Sequence, residues 1–303
     1  MYSFLEKKLK KKYSNSLIII DKKAGITSHD EVYNLRRILE NKKIGHSGTL
    51  DPKVTGILVM GIGKGLKILE YMLLSKKVYE AEFLFHSEIS QEKFEKTRKE
   101  FLGKISQLPP VKSSVKREVR EREIYDLKIL DFDKKNRWVK LLTAVERGTY
   151  IRKLAHDMGE KIGTIISMGD LRRIQVGKFS EENSNFITSD LLKEKFKKFY
   201  KTKCLGKKIF YYFDLKKYFY SLEDFFEREK KFQKVFIKKE SLKYVLAGNP
   251  IRWKNLENKN FKKQELNIIF YKNEVVGIGK VIEENFKDKN NEVEVIKLKK
   301  LLK

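Results

Sequence analysis

Residues 45–52 read GHSGTLDP and set His46, Ser47, Thr49 and Asp51 in one short stretch, among two glycines and just before a proline. A carboxylate in so constrained a turn can serve as nucleophile or base, because neighbouring glycines let the backbone approach a ligand closely. It can equally be a turn aspartate that bonds nearby amides. Spacing alone leaves these two readings even. A serine hydrolase is disfavoured: His46 and Asp51 share one loop, and no Gly-x-Ser-x-Gly elbow is present. The glycines of GIGKG (61–65) match neither GxGxxG nor the P-loop, and read as a strand-to-helix turn that needs small residues. Asp157 and Asp170 are further acids, placed where they suit support of a helix or a turn. Cys204 is alone, and His29, His46, His86 and His156 lie far apart, so neither a disulfide nor metal-ligand spacing is present. No metal is expected.

The elements that must hold these residues can be read from periodicity. LIII (17–20) suits a buried strand. Ser28-His29-Asp30-Glu31 has the form of a capping box, followed by Val32, Leu35, Ile38 and Leu39 at helical spacing. Leu50-Asp51-Pro52 cannot lie within a helix, because the residue before proline is pushed to extended geometry. ILVMGI (57–62) and residues 78–85 read as strands, and 90–102 as a helix. Pro109-Pro110 opens the basic stretch VKSSVKREVREREIY, followed by strand-like runs at 124–131 and 138–145. A helix is expected to start at Thr149 and stop near Gly163, with the strand LRRIQVGKFS after it. Residues 181–230 are charged, aromatic and helical in pattern. From about 231 short strands with turn signals predict a small β-rich domain.

The chain has 303 residues, a net charge of +27 and a pI near 9.8, which points to a polyanionic partner, nucleic acid first. A lysine-rich composition can also reflect a biased genome, so charge favours RNA or DNA only in part. The basic start MYSFLEKKLKKKY lacks the apolar stretch of a signal peptide, and no window nears the length of a membrane span. An intracellular, cytoplasmic protein with no membrane partner is expected.

At the level of whole blocks the sequence becomes specific. GHSGTLDPKVTGILVMGIGKGLKIL resembles the catalytic motif of the TruB family of pseudouridine synthases. RGTYIRKLAHDMGEKIG (147–163), GDLRRIQVGKFS (169–180), DKKAGITSHDEV (21–32) and LPPVKSSVKREVR (108–120) match further blocks, in family order, over residues 17–180. Residues 231–303 resemble a PUA domain, an RNA-binding module. The resemblance implies a mixed α/β (α+β) fold around a mainly antiparallel central sheet, with a small β-rich PUA domain beside it. The expected division is a basic tail at 1–16, a catalytic domain at 17–230 and the PUA domain at 231–303.

The implied activity is conversion of uridine to pseudouridine in RNA, without cofactor or metal. Uracil is detached from C1′, rotated and rejoined through C5, after the base leaves its stack. Asp51 falls on the family's essential aspartate. Among substrate-binding positions, His46 matches a histidine that supports the rearranged RNA, and Tyr79 the tyrosine that stacks on the flipped base. Tyr150 and Arg152 match the GTYIR block, with Arg152 expected to pair with Asp51 and orient it. Leu171 matches a pocket-lining apolar residue and Lys22 a basic residue near the site. The family usually has Lys-Pro where this chain has Lys22-Lys23, which removes the stiffness proline would give that loop.

The short segment FLFHSEISQEKFEKTRKEF resembles the archaeal and eukaryotic dyskerin branch, the catalytic subunits of box H/ACA ribonucleoproteins. That branch implies a guide RNA, a target rRNA or tRNA, and small H/ACA partner proteins. The short chain resembles the archaeal type. The basic loop 112–122, with Lys112, Lys116, Arg117, Arg120 and Arg122, is the expected substrate clamp, its cations contacting phosphates. Two alternatives stand beside this reading: a stand-alone enzyme acting on the T-arm loop of tRNA, and a non-catalytic RNA-binding protein.

Overall fold

The computed structural model describes residues 2–109, 116–135, 137–229, 232–259, 261, 266–288 and 290–302. In chain order the elements begin α1 (Tyr2–Ser14), β1 (Ser16–Lys22), α2 (Ser28–Leu39), β2 (Ile44–His46), β3 (Thr55–Ile62), α3 (Leu69–Leu73) and β4 (Lys77–Phe85). They continue α4 (Gln91–Glu100), β5 (Gly103–Gln107), β6 (Arg120–Asp133), β7 (Trp138–Val145), α5 (Ile151–Ile162), β8 (Ile166–Val176), β9 (Phe179–Ser180), α6 (Ser189–Lys201) and α7 (Leu205–Lys216). The last are β10 (Phe219–Tyr220), α8 (Leu222–Arg228), β11 (Gln233–Phe236), α9 (Leu242–Leu246), β12 (Ile251–Arg252), β13 (Asn267–Tyr271), β14 (Glu274–Val281) and β15 (Glu294–Leu301). These fall into two compact units, one of Ile19–Met60 and Leu69–Tyr211, the other of Met1–Ile18, Gly61–Ile68 and Tyr212–Lys303.

The larger unit is built on a mixed sheet in the order β1-β3-β8-β4-β7-β6-β5, with β2 beside β3 and β9 beside β8. Its pairings β4–β8, β4–β7, β6–β7 and β5–β6 are antiparallel, and β3–β8 is parallel. Ile57 to Met60 are buried without a break, because β3 is covered on both faces. β6 instead alternates, as a strand with one solvated face does. Gly56 lies where β3 meets β8. Its φ is +103°, and a Cβ there would stand 2.8 Å from the Arg173 backbone nitrogen, so only glycine fits.

Helix α2 begins one residue earlier than the sequence pattern suggests. Thr27 is the N-cap: its hydroxyl accepts the Asp30 N–H at 3.0 Å, and the Asp30 carboxylate accepts the Thr27 N–H at 2.8 Å. Ser28 is thereby free for another use. Helix α5 buries Ile151, Leu154, Ala155, Met158 and Ile162 on one face and stops at Gly163, whose φ of +84° lets its N–H reach back to the last carbonyls.

In the smaller unit the basic start, expected as a tail, is helix α1, whose Leu9 and Tyr13 are buried. Leu17 and Ile18 pair with Tyr220 and Phe219. The GIGKG stretch is a turn into a short 3-10 helix (Gly63–Ile68), with Gly65 pressed against the backbone of Ser16. The C-terminal sheet runs β11-β13-β14-β15-β12, with β11–β13 parallel and a core of Trp253, Val235, Ile269, Val276 and Ile296. No helix among the described residues is long and apolar enough to cross a membrane.

Candidate active site

The loop between β2 and β3 carries Asp51, and three side chains from distant segments fix its backbone. Ser28, at the first turn of α2, accepts the Leu50 N–H at 2.8 Å and donates to the Leu50 carbonyl at 3.2 Å. Lys22, at the end of β1, is fully buried and donates to the carbonyls of Pro52 (3.1 Å), Ile26 (2.7 Å) and Lys23 (2.9 Å). Arg173 of β8, 1% exposed, donates to Ile57 at 2.8 Å and to Gly48 at 3.1 Å, joining both limbs of the loop. Asp51 therefore stands on a backbone held immediately before it, immediately after it, and at both limbs. The carbonyls of Gly48, Leu50, Pro52 and Ile57 each find a side-chain donor, as a loop inside a protein requires.

The Asp51 carboxylate itself faces solvent and accepts a hydrogen bond from the Arg152 guanidinium. Both side chains are about half exposed, at 55% and 54%, so the pair contributes little to stability. What it fixes is orientation, since a charge-assisted bond to a planar guanidinium is directional. Arg152 rides on the first turn of α5, and Tyr150 is that helix's N-cap residue.

These groups open onto a cleft of about 670 Å³. Asp51, Tyr79, Tyr150, Arg152 and Leu171 all line it, together with Arg120 and Arg122 from the start of β6. Arg122 lies over the turn at Gly148: a Cβ on that glycine would be 3.3 Å from the guanidinium. Lys116 and Arg117 are exposed, and Lys116 pairs with Glu118. Lys112 lies outside the described residues.

Lys22 and His46 do not line the cleft. Burial pushes the Lys22 ammonium below its ordinary pKa, while the charges of Glu31 and Asp51 act against that shift. Its place is beneath the loop, where it acts through the backbone. His46 accepts the Gly48 N–H on Nδ1 at 3.2 Å, so its Nε2 carries the proton. Burial first, then His29 and Arg173, lower its pKa, leaving it neutral at pH 7. The His29 ring meets it edge-on, 5.5 Å between centroids.

Two buried cleft cations escape the sequence reading. Lys77 is buried and donates to the carbonyls of Met72, Leu73 and Ser75 at 3.1, 2.6 and 2.6 Å, closing the end of α3. Burial, then Arg173 and Arg147, push its pKa down to about 8. Arg173 is the second. Both had a signal: Lys77 stands two residues from Tyr79, and Arg173 two from Leu171, so strand alternation puts each pair on one face. The cleft is thus rich in cations, with buried Lys77 and Arg173 and exposed Arg147 lining it beside the carboxylates of Asp51 and Glu146. Such a cleft suits a polyanion whose reacting group must meet an acid. A group of His156, Asp157 and Glu160 on α5 lies within metal-ligand reach, but it is a surface cluster already engaged with Lys153.

Comparison with known proteins gives the family. The description "TruB family pseudouridylate synthase (N terminal domain)" matches residues 36–151, and "tRNA pseudouridylate synthase B C-terminal domain" matches residues 152–224. A "Probable tRNA pseudouridine synthase B" of Methanopyrus kandleri is 42% identical over 179 residues, covering 59% of this chain and 52% of that protein. The protein of the same name from Archaeoglobus fulgidus is 43% identical over 176 residues, covering 58% and 53%. The chain thus spans about half the length of the curated relatives it matches. Among solved structures, a chain of a Cbf5–Nop10–Gar1 complex superposes with a TM-score of 0.82 at 29% identity, covering 97% of this chain and 87% of that one. A chain of an H/ACA ribonucleoprotein bound to a substrate RNA containing 2′-deoxyuridine gives 0.79 at 27% identity, with the same coverage. Two contiguous family matches that together exceed half the chain, on a fold shared with Cbf5 complexes, establish that the chain belongs to the TruB family of pseudouridine synthases.

Proposed function

We propose that this protein isomerises uridine to pseudouridine in RNA, as the catalytic subunit of a guide-directed H/ACA-type particle. The observation that carries the chemistry is the Asp51–Arg152 pair opening onto a cationic cleft lined by Tyr79, Tyr150 and Leu171. In this reading the target uridine leaves its stack and enters the cleft, where Tyr79 stacks on the base and Leu171 bounds the pocket. Arg152 orients the Asp51 carboxylate toward the sugar. The C1′–N1 bond breaks, uracil turns, and a C1′–C5 bond forms. The hydrogen on C5 leaves to solvent and N1 takes a proton, so the atoms balance with no cofactor. His46 and Lys22 support the loop from behind rather than touching the base.

The guide-directed assignment rests on likeness to chains of Cbf5–Nop10–Gar1 and H/ACA structures over nearly the full length. RNA and small H/ACA proteins are the proposed partners, the C-terminal sheet is read as the PUA domain, and the cytoplasm as the compartment. A stand-alone tRNA enzyme is the second reading, favoured by the names of the curated relatives.

Tritium release from RNA labelled at uridine C5 tests both. Wild type and Asp51→Asn are compared on bare tRNA and on a guide–target pair with partner proteins added. Release from the guided pair alone, abolished by the substitution, is expected. Equal release from bare tRNA would favour the stand-alone enzyme. Binding without release would leave an RNA-binding protein.

A further inference from the structure

Gln107 is the last residue of β5 and is 2% exposed. Its Oε1 accepts the Tyr150 N–H at 3.0 Å, and its Nε2 donates to the Tyr150 carbonyl at 3.2 Å. One side-chain amide thus satisfies both backbone groups of a single residue, 43 positions away, as a neighbouring strand would. That residue sits at a structural junction. It follows the turn at Gly148, whose φ is +73°, and it is the N-cap of α5 without any side-chain cap of its own. Two residues on, α5 presents Arg152 to Asp51.

We infer that Gln107 is a positioning residue for the reaction: it sets the backbone at Tyr150, and through it the Tyr150 ring and the Arg152 guanidinium. The inference rests on the activity proposed above. The geometry explains why a glutamine is needed. Glutamate would keep the acceptor for the Tyr150 N–H but lose the donor to its carbonyl. Methionine would fill the same volume and make neither bond. Misplacing reacting groups by a fraction of an ångström lowers the rate without weakening distant substrate contacts. The loss should therefore appear in kcat and spare KM.

The experiment is steady-state tritium release by wild type, Gln107→Met and Gln107→Glu on whichever RNA the wild type modifies, with thermal unfolding of each. Hydrogen exchange over residues 149–152 is followed in parallel. Gln107→Met is expected to lose roughly tenfold or more in kcat with KM within about twofold, and to exchange faster at that segment alone. Gln107→Glu is expected to fall in between. Unchanged kcat in Gln107→Met would overturn the inference, as would a rise in KM alone. An equal loss in both variants with globally faster exchange would also overturn it, because the amide would then serve only the core. Lack of activity in the wild type would sink the activity reading instead, while local exchange in Gln107→Met would still report whether the Tyr150 backbone is released.

Discussion

Across 22 residues of chain, the Ser28 hydroxyl both accepts from and donates to the backbone of Leu50, the residue that precedes Asp51. Helix α2 and the aspartate loop are thus locked at one point, and the lock is buried. Ser28→Ala leaves a buried N–H and a buried carbonyl without their partner. The expected cost is about 1–3 kcal/mol. It should appear as a lower denaturation midpoint at unchanged slope, together with a drop in kcat as the loop relaxes.

Gly56 and Gly25 separate two reasons for glycine. Both have positive φ, +103° and +91°. A Cβ on Gly25 meets nothing within 4 Å, whereas one on Gly56 is driven into the backbone of Arg173. Gly25→Ala should therefore cost only the left-handed penalty, about 1–2 kcal/mol. Gly56→Ala must also push β3 from β8, so its cost should exceed that of Gly25→Ala clearly in parallel urea melts. Equal costs would mean that backbone strain alone matters at Gly56.

The two glycines also mark how far the sequence could be read. Local signals were enough for β1, β3 and the helix after Gly148, because continuous apolar runs and helical spacing are properties of neighbouring residues. The loop around Asp51 was legible because glycine, aspartate and proline cannot share a regular element. What joins that loop to its supports was not legible. The capping box was assigned to Ser28, when Thr27 caps α2 and Ser28 turns to Leu50. The Gln107–Tyr150 and Arg173–Gly48 bonds span 43 and 125 residues, distances over which no periodicity informs. Lys22 was grouped with the substrate-binding residues by resemblance, while its burial and its three carbonyl bonds put it under the loop. A residue matched to a motif near a site can thus be assigned to the ligand when its work is to hold the backbone that meets it.

Lys77 gives the protein a pH signature. Its pKa is pushed down to about 8 in the folded chain from an ordinary 10.5. Between those values the unfolded chain binds more protons at this position than the folded one, so its contribution to stability rises with pH. The slope is at most about 1.4 kcal/mol per pH unit. Unfolding free energies of wild type and Lys77→Met, measured from about pH 7 to about pH 10, should differ by an amount that changes in the wild type's favour as pH rises. A pH-independent difference would mean that Lys77 keeps its ordinary pKa, with its three carbonyl bonds outweighing burial.

The arginines at the mouth of the cleft should act on binding and not on chemistry. Arg120 and Arg122 line the cleft, and Arg117 is exposed just before them. None of them touches Asp51, whose partner is Arg152. If the three contact phosphates, replacing them with glutamine removes counterion release, about 0.7 in the salt slope for each contact on single-stranded RNA. The triple variant should lose affinity most at low salt and converge on wild type as salt rises, with a slope shallower by up to about 2. At saturating RNA its kcat should match the wild type's, because the Asp51–Arg152 pair and the Gln107 clamp are left intact. A variant with unchanged salt slope but reduced kcat would reverse the assignment: Arg122, lying over the Gly148 turn, would then be shaping the approach to Tyr150 and not gripping the RNA backbone.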